Sequence, residues 1–390
     1  MSYRLTAGVA GLAVALVLAG CGGDDEEADA SAPLASAAAP GSATYLADVC
    51  PSTVVVQTDW NPESEHGGTY ELVGPNPSID ADKKRVTGTL VAHGGVDTGV
   101  RIEIRAGGPA IGFQQVSAQM YADPSITLGY NASDEAIALS KTQPTIGVFA
   151  GLEKSPQIIM WSPDKHPDWR SIADIGKTDT KVLYFQGAVY MDYLTGNGTL
   201  KKSQVDGSYD GAPANFVASG GEFAQQGFAT AEPYIYENEV TAWKKKVTYQ
   251  LIADAGFDFY QNMLGVRAGD LQKLTPCLKK LVPILQQSYV DFLGAPDETN
   301  ALILKLVEEY NNGWTYTKGV ADYSVRTMKE LGIVGNGKDS AIGNFDDARV
   351  QHLIEITGPI FTAQNKEMKA GLKPSDIVTN EFIDPSIGLK

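Results

Sequence analysis

Asp59 and Trp60 directly follow the extended run Thr53–Gln57. An indole can stack on a planar group and a carboxylate accepts hydrogen bonds, so the pair is suited to a flat polar molecule unless Trp60 belongs to a core. His66 lies just downstream, where it either faces the same molecule or caps the next turn. Asn131, Ser133 and Asp134 follow a second extended run at 126–130. Ser133 or Asp134 can touch a ligand, or can simply cap the helix that begins there. Gly187 and Ala188 stand where an extended run at 182–185 gives way to helical spacing over 187–194. A helix start leaves backbone N–H groups free to meet an anion or a carbonyl, although an ordinary tight turn would look the same in sequence.

This chemistry is recognition, with no sign of bond making. The four histidines, His66, His93, His166 and His352, lie far apart, with no pair at helical spacing and no Cys/His cluster, so no metal site is expected. There is no Gly-x-Ser-x-Gly elbow. The run Gly332-Ile333-Val334-Gly335-Asn336-Gly337-Lys338 has the glycine and lysine spacing of a phosphate-binding loop. Asp339 follows where Ser or Thr is needed, and the preceding stretch is helical, so it reads as a helix end with a glycine turn. No cofactor is expected.

Periodicity supplies the elements that must hold these residues. Residues 100–105 alternate, 111–121 and 134–139 have helical spacing, and 84–92 with 99–105 flank Gly94-Gly95 as a hairpin set into the first crossover. A second unit starts near Thr145, with strand candidates at 145–150, 158–161, 182–185 and 247–252. The chain then turns helical at 270–293, 298–311, 322–331 and 345–363. Strands alternating with helices predict an α/β fold with mostly parallel sheets. Trp161, Trp169, Trp243 and Trp314 read as packing or surface residues, and Lys244-Lys245-Lys246 as a solvated charge run.

The chain has 31 basic and 47 acidic residues, a net charge of −16, which argues against nucleic acid as a partner. Arg4, the apolar run 5–18 and Leu18-Ala19-Gly20-Cys21 form a lipoprotein signal whose last four residues resemble the bacterial lipobox. The apolar run is too short for a good transmembrane helix. The segmentation expected is a signal peptide over 1–20, acylation of Cys21, and a disordered tether over 21–49 rich in Gly, Ala, Ser and Pro. Attachment to the membrane is then through the lipid alone, outside the cytoplasm. With Cys21 acylated, Cys50 and Cys277 remain in an oxidising compartment and are expected to pair, the alternative being two buried free thiols.

Several stretches together carry a family resemblance: Thr58-Asp59-Trp60-Asn61-Pro62 with His66-Gly67-Gly68, Leu152-Glu153-Lys154-Ser155-Pro156-Gln157, Tyr184-Phe185-Gln186-Gly187-Ala188, and Thr230-Ala231-Glu232-Pro233-Tyr234. In order and spacing they resemble the extracytoplasmic solute-binding proteins of ABC importers, of the thiamine-pyrimidine and nitrate/sulfonate/taurine type. The resemblance covers nearly all of the body. It implies a type II periplasmic-binding-protein fold: two α/β lobes joined by a two-crossing hinge, with a helical C-terminal part. The implied division is 50–147 with 251–390 for one lobe and 148–250 for the other. It also implies a monomer that closes on a small molecule and delivers it to a permease and its ATPase.

Within that frame Asp59, Trp60, His66, Ser133, Asp134, Gly187, Ala188, Tyr190 and Glu232 are the ligand-binding candidates. Glu232 falls where the resembling proteins place a cleft-facing strand end, and a carboxylate there favours an amine or amidine. It can equally pair with a lysine or arginine across the hinge. A pyrimidine-like ligand is favoured, with a sulfonate, nitrate or other small anion as the alternative. Fungal pyrimidine synthases, which are enzymes, also resemble this fold. Their cysteine-rich motif is absent, so the expected role is not enzymatic.

Overall fold

The computed structural model describes residues 36–390. The expected signal peptide and its acylation site, Cys21, lie outside the described residues. The strands are β1 Ser36–Ala37, β2 Thr53–Gln57, β3 Ser78–Asp80, β4 Arg85–Ala92, β5 Val96–Arg105, β6 Leu128–Asn131, β7 Thr145–Ala150, β8 Gln157–Trp161, β9 Val182–Leu183, β10 Val205–Asp206, β11 Ala224–Phe228, β12 Thr248–Leu251 and β13 Met263–Arg267. They form two sheets. The first has the order β3-β4-β5-β2-β6-β13-β7, with β1 against β5; the second is β10-β9-β11-β8-β12.

Both sheets are mixed, where mostly parallel ones were expected. In the first, β2 runs parallel to β5 and β6, but β4 pairs antiparallel with β3 and β5 through the hairpin at Gly94-Gly95. β13, returning from the second sheet, inserts antiparallel between β6 and β7. In the second sheet β8 is antiparallel to both neighbours.

The chain passes between the sheets twice, from β7 to β8 and from β12 to β13. The expected boundary between residues 147 and 148 is corrected: it falls inside β7, which pairs with β13 from Thr145 to Ala150 and so lies wholly in the first sheet. The boundary at 250–251 likewise cuts β12, whose Leu251 still pairs with Ile158. Arg349 joins the two crossings. Its guanidinium donates to the Glu153 carbonyl at 2.6 Å and to the Phe259 carbonyl at 3.0 Å, pairs with Asp258 at 2.7 Å, and lies 3.9 Å from the Tyr260 ring centre.

The tether expected over 21–49 is also too long. Ser36 and Ala37 pair with Val96 and Asp97, and Leu46 is buried in the core, so the chain has enough to bond with and to bury well before Cys50. Cys50 and Cys277 are joined by a disulfide, their Cα atoms 4.6 Å apart. Cys277 lies in the helix Leu271–Gly294, which runs through Pro276 and Pro283. Each proline removes one helical hydrogen bond, but Leu274, Leu278, Leu281, Leu285, Tyr289 and Phe292 line one buried face at helical spacing and hold the helix in place. No helix of the described residues is long and apolar enough to cross a membrane.

That helix also sets the first candidate loop. A Cβ on Gly67 would lie 2.2 Å from the Phe292 ring, and one on Gly68 2.1 Å from the Tyr289 ring. Only glycine lets residues 67–68 sit this close, and the loop 58–66 is fixed from its far end by that contact.

Candidate functional site

The loop after β2 carries Asp59, Trp60, Glu63, Glu65 and His66. Thr58 anchors its start, donating from Oγ1 to the Trp60 carbonyl at 2.7 Å, and Gly107 N–H donates to that same carbonyl at 2.8 Å. His66 is fully buried and does not reach a cleft. Its Nε2 is 2.8 Å from Asp59 Oδ1 and its ring meets Tyr130 edge to face, 4.7 Å between centres. Asp59 keeps 28% of its side-chain exposure, so His66 orients Asp59 from behind.

Trp60 stands among aromatic rings drawn from several parts of the chain. Its centre is 5.9 Å from Phe113, 6.3 Å from Phe185 and 5.9 Å from Trp314. Phe185, just beyond β9, contacts Tyr209 at 5.0 Å, and Tyr209 donates to Glu232 Oε1 at 3.4 Å. On the other side Trp314 stacks near Tyr316, whose hydroxyl accepts from Ser64 N–H at 3.1 Å. The charges of Glu63 and Glu65 act on that hydroxyl. Trp60, Phe185, Tyr209 and Glu232 thus form one chain of contacts and Trp60, Trp314, Tyr316 and Ser64 another, while Thr230, two residues before Glu232, donates to Glu65; this cluster is the aromatic enclosure around Trp60.

Its acids are under electrostatic load. Burial pushes Glu232 up to about 7, with the charge of Glu65 adding to the effect. Glu232 does not pair with a lysine or arginine; Oε2 accepts from Phe228 N–H at 2.6 Å. Burial also raises Glu63 well above the usual carboxylate range, with Glu65, Asp59 and Glu232 adding repulsion. Glu65 is raised by burial too, although Thr230 donates to its Oε1 and His66 lies close. The buried Ser324 hydroxyl is a further donor facing Glu65. Glu63 and Glu232 are surrounded by protein yet keep some contact with solvent, as groups on a cleft wall do.

Asp134, Gly187, Ala188 and Tyr190 meet at a cavity of about 210 Å³, together with Gln115, Glu135, Gln157, Gln261 and Lys366. The cavity brings the start of the helix Ser133–Ala138, beyond β6, to the start of the helix Val189–Gly196, beyond β9. Tyr190 is buried and donates to Gln226 Oε1 at 2.5 Å. Burial pushes Asp134 up to about 6 and Glu135 to about 7. Ser133 is not on the wall. Its Oγ accepts from Tyr260 N–H at 3.0 Å and its own N–H donates to the Tyr260 carbonyl, tying the helix to the second crossing.

Glu63, Glu65, Phe113, Tyr209, Trp314 and Tyr316 are not among the candidates read from sequence. Trp314, taken there as packing or surface, does pack against the core and also forms one side of the enclosure. Each contributor is an ordinary loop residue locally, and long-range topology alone brings them together. No group of three or more His, Cys, Asp or Glu among the described residues is arranged to hold a metal ion.

No protein-family model and no curated protein sequence matches the chain. Its fold is similar to that of solved structures. The ligand-binding component of an ABC-type import system from Staphylococcus aureus, solved with zinc bound, has a TM-score of 0.50 and 11% identity over 84% of this chain and 97% of that one. An ABC transporter structure from Parabacteroides distasonis has a TM-score of 0.50 and 10% identity over 85% and 100%. The periplasmic aliphatic sulphonate-binding protein of Escherichia coli has a TM-score of 0.50 and 13% identity over 81% and 88%. At such identities the likeness establishes the fold, that of the periplasmic binding proteins, with two sheets and a helical C-terminal part.

Proposed function

We propose that this chain is the solute-binding protein of an ABC importer, lipid-anchored through Cys21 outside the cytoplasm and acting as a monomer. The two sheets are the cores of two lobes that close on a small polar ligand by hinge motion about the two crossings. The closed form is then read by a permease and its ATPase. The reaction is binding and release, without catalysis. Fold likeness alone does not carry a function. The observation that carries this one is the chain of contacts through Trp60, Phe185, Tyr209 and Glu232, because it draws on both sheets and needs them together.

The ligand favoured by those walls is planar and bears an amine, as a pyrimidine of the thiamine-precursor type does. Trp60 and Phe185 offer faces and edges for stacking, and Glu232 an acceptor. A small anion is the second reading. It rests on Lys366 and the helix start at Gly187 and Ala188, which line the same cavity, and it meets opposition there from Asp134 and Glu135.

A thermal-shift screen of the full chain, unfolded and refolded to strip carried-over ligand, tests the reading. The panel holds thiamine precursors, formylaminopyrimidines, alkanesulfonates, nitrate and small aromatic acids. A ligand at 100 times its Kd stabilises the native state by about 2.7 kcal/mol. A shift with one chemical class supports the receptor role and chooses between amine and anion; none with any class counts against it.

A further inference from the structure

The enclosure beside Trp60 gathers more carboxyl groups than its own structure pairs. Asp59, Glu63, Glu65 and Glu232 act on one another, and no lysine or arginine figures among the charges acting most strongly on Glu63, Glu65 or Glu232. His66 is the nearest basic group, and its Nε2 is already taken by Asp59. Glu65 is only 4% exposed and is met by the hydroxyls of Thr230 and Ser324, with no lysine or arginine paired to it, an arrangement that costs free energy when it ionises. The remaining wall is aromatic, and ring faces attract cations and repel anions.

Resting on the receptor reading above, we propose that the enclosure selects a monovalent organic cation with a flat body, its charge met by Glu232 and Glu63 and its plane lying against Trp60. A neutral molecule of the same shape would leave the carboxylates unmatched, and an anion would add to their repulsion. The lysine that lines the neighbouring cavity, Lys366, interacts with Asp134 and is not among the main charges acting on Glu63 or Glu232. The groups that face Glu232 are Glu65, Glu63, Tyr209 and Tyr236, none of them cationic. Protonation of these carboxylates therefore competes with a bound cation, and cation binding should expel a proton.

Three probes of one size and shape test this on the full chain: benzamidinium, benzamide and benzoate, by calorimetry at pH 8 and pH 6. Benzamidinium should bind at least about tenfold more tightly than the other two at pH 8. Its affinity should fall by about tenfold per displaced proton between pH 8 and pH 6, while that of benzamide stays level. Glu232→Gln should lower benzamidinium affinity by about tenfold or more and spare benzamide. Glu63→Gln serves as the second variant should Glu232→Gln fail to fold. Tighter binding of benzamide or benzoate overturns the cation assignment and leaves the receptor reading standing, as does benzamidinium affinity indifferent to both substitutions. No binding by any of the three also overturns the cation assignment; the receptor reading then stands or falls on the thermal-shift panel.

Discussion

Replacing Glu232 with Gln should make the ligand-free protein more stable at pH 8 and slightly less stable at pH 5. Burial lifts this carboxyl from 4.5 to about 7, so the folded chain holds the proton more tightly than the unfolded chain does. Ionisation therefore costs stability. The cost is absent below the unfolded value, grows as pH rises, and is complete above about 7. At about 1.4 kcal/mol per pH unit it amounts to roughly 3 kcal/mol. Gln keeps one acceptor oxygen, for the Phe228 N–H, and the Tyr209 hydroxyl must turn from donor to acceptor of the amide, a neutral contact weaker than the one it replaces by about 1 kcal/mol at any pH. The expected balance is a gain of about 2 kcal/mol at pH 8 and a loss of only about 0.2 kcal/mol at pH 5, where ionisation already costs about 0.8 kcal/mol. Urea denaturation followed by tryptophan fluorescence at both pH values measures it, and the difference between them cancels the constant term. Equal effects at the two pH values, or a variant weaker at pH 8 than at pH 5, would refute the argument that Glu232 is held ionised at a cost.

Three further perturbations probe the frame. Cys50→Ser with Cys277→Ser removes a link spanning 227 residues and should lower stability by up to about 5 kcal/mol in denaturant, whereas no change would mean the link adds nothing. Arg349→Met takes the guanidinium from Glu153, Asp258 and two carbonyls at the crossings; a loss of about 3 kcal/mol is expected, and one under about 0.5 kcal/mol would remove Arg349 from the account of the hinge. Gly107→Ala would set a Cβ 2.2 Å from the Thr58 carbonyl oxygen, which is backbone and cannot swing away. It should displace the Asp59–Trp60 loop at a cost of about 1–3 kcal/mol and weaken ligand capture, and an unaltered melting curve would show that the loop gives more freely than its hydrogen bonds suggest.

Elements whose pattern is local were legible. The β-branched run in β2 and the apolar face of the helix Leu271–Gly294 stand out in sequence, the helix despite two prolines. β13 did not: Met263–Arg267 is short, lies where the chain has turned helical, and becomes a strand because β6 and β7 leave a slot between them. β1 is two residues long and exists only through β5. The site divides in the same way. Asp59, Trp60 and Glu232 sit beside recognisable strand ends and helix starts. His66 looked equally available, but it is buried behind Asp59, a matter of packing that no spacing reveals. Trp314 and Tyr316 come from a loop between two C-terminal helices, more than 250 positions from Trp60, so no local signal ties them to it.

The position of β13 also dictates an order of assembly. During synthesis the ribosome releases β2, β6 and β7 first, but the first sheet cannot be completed until residues 263–267 slide in between β6 and β7. The second sheet, by contrast, has all its strands by residue 251, with β8 and β12 lying side by side at entry and exit. A nascent chain can therefore finish the inserted unit while the outer one still has an open slot with unpaired strand edges, the kind of exposed edge that invites wrong pairing. The disulfide cannot form before residue 277 emerges, by which time β13 is already out. It fastens a sheet whose strands have all emerged by then.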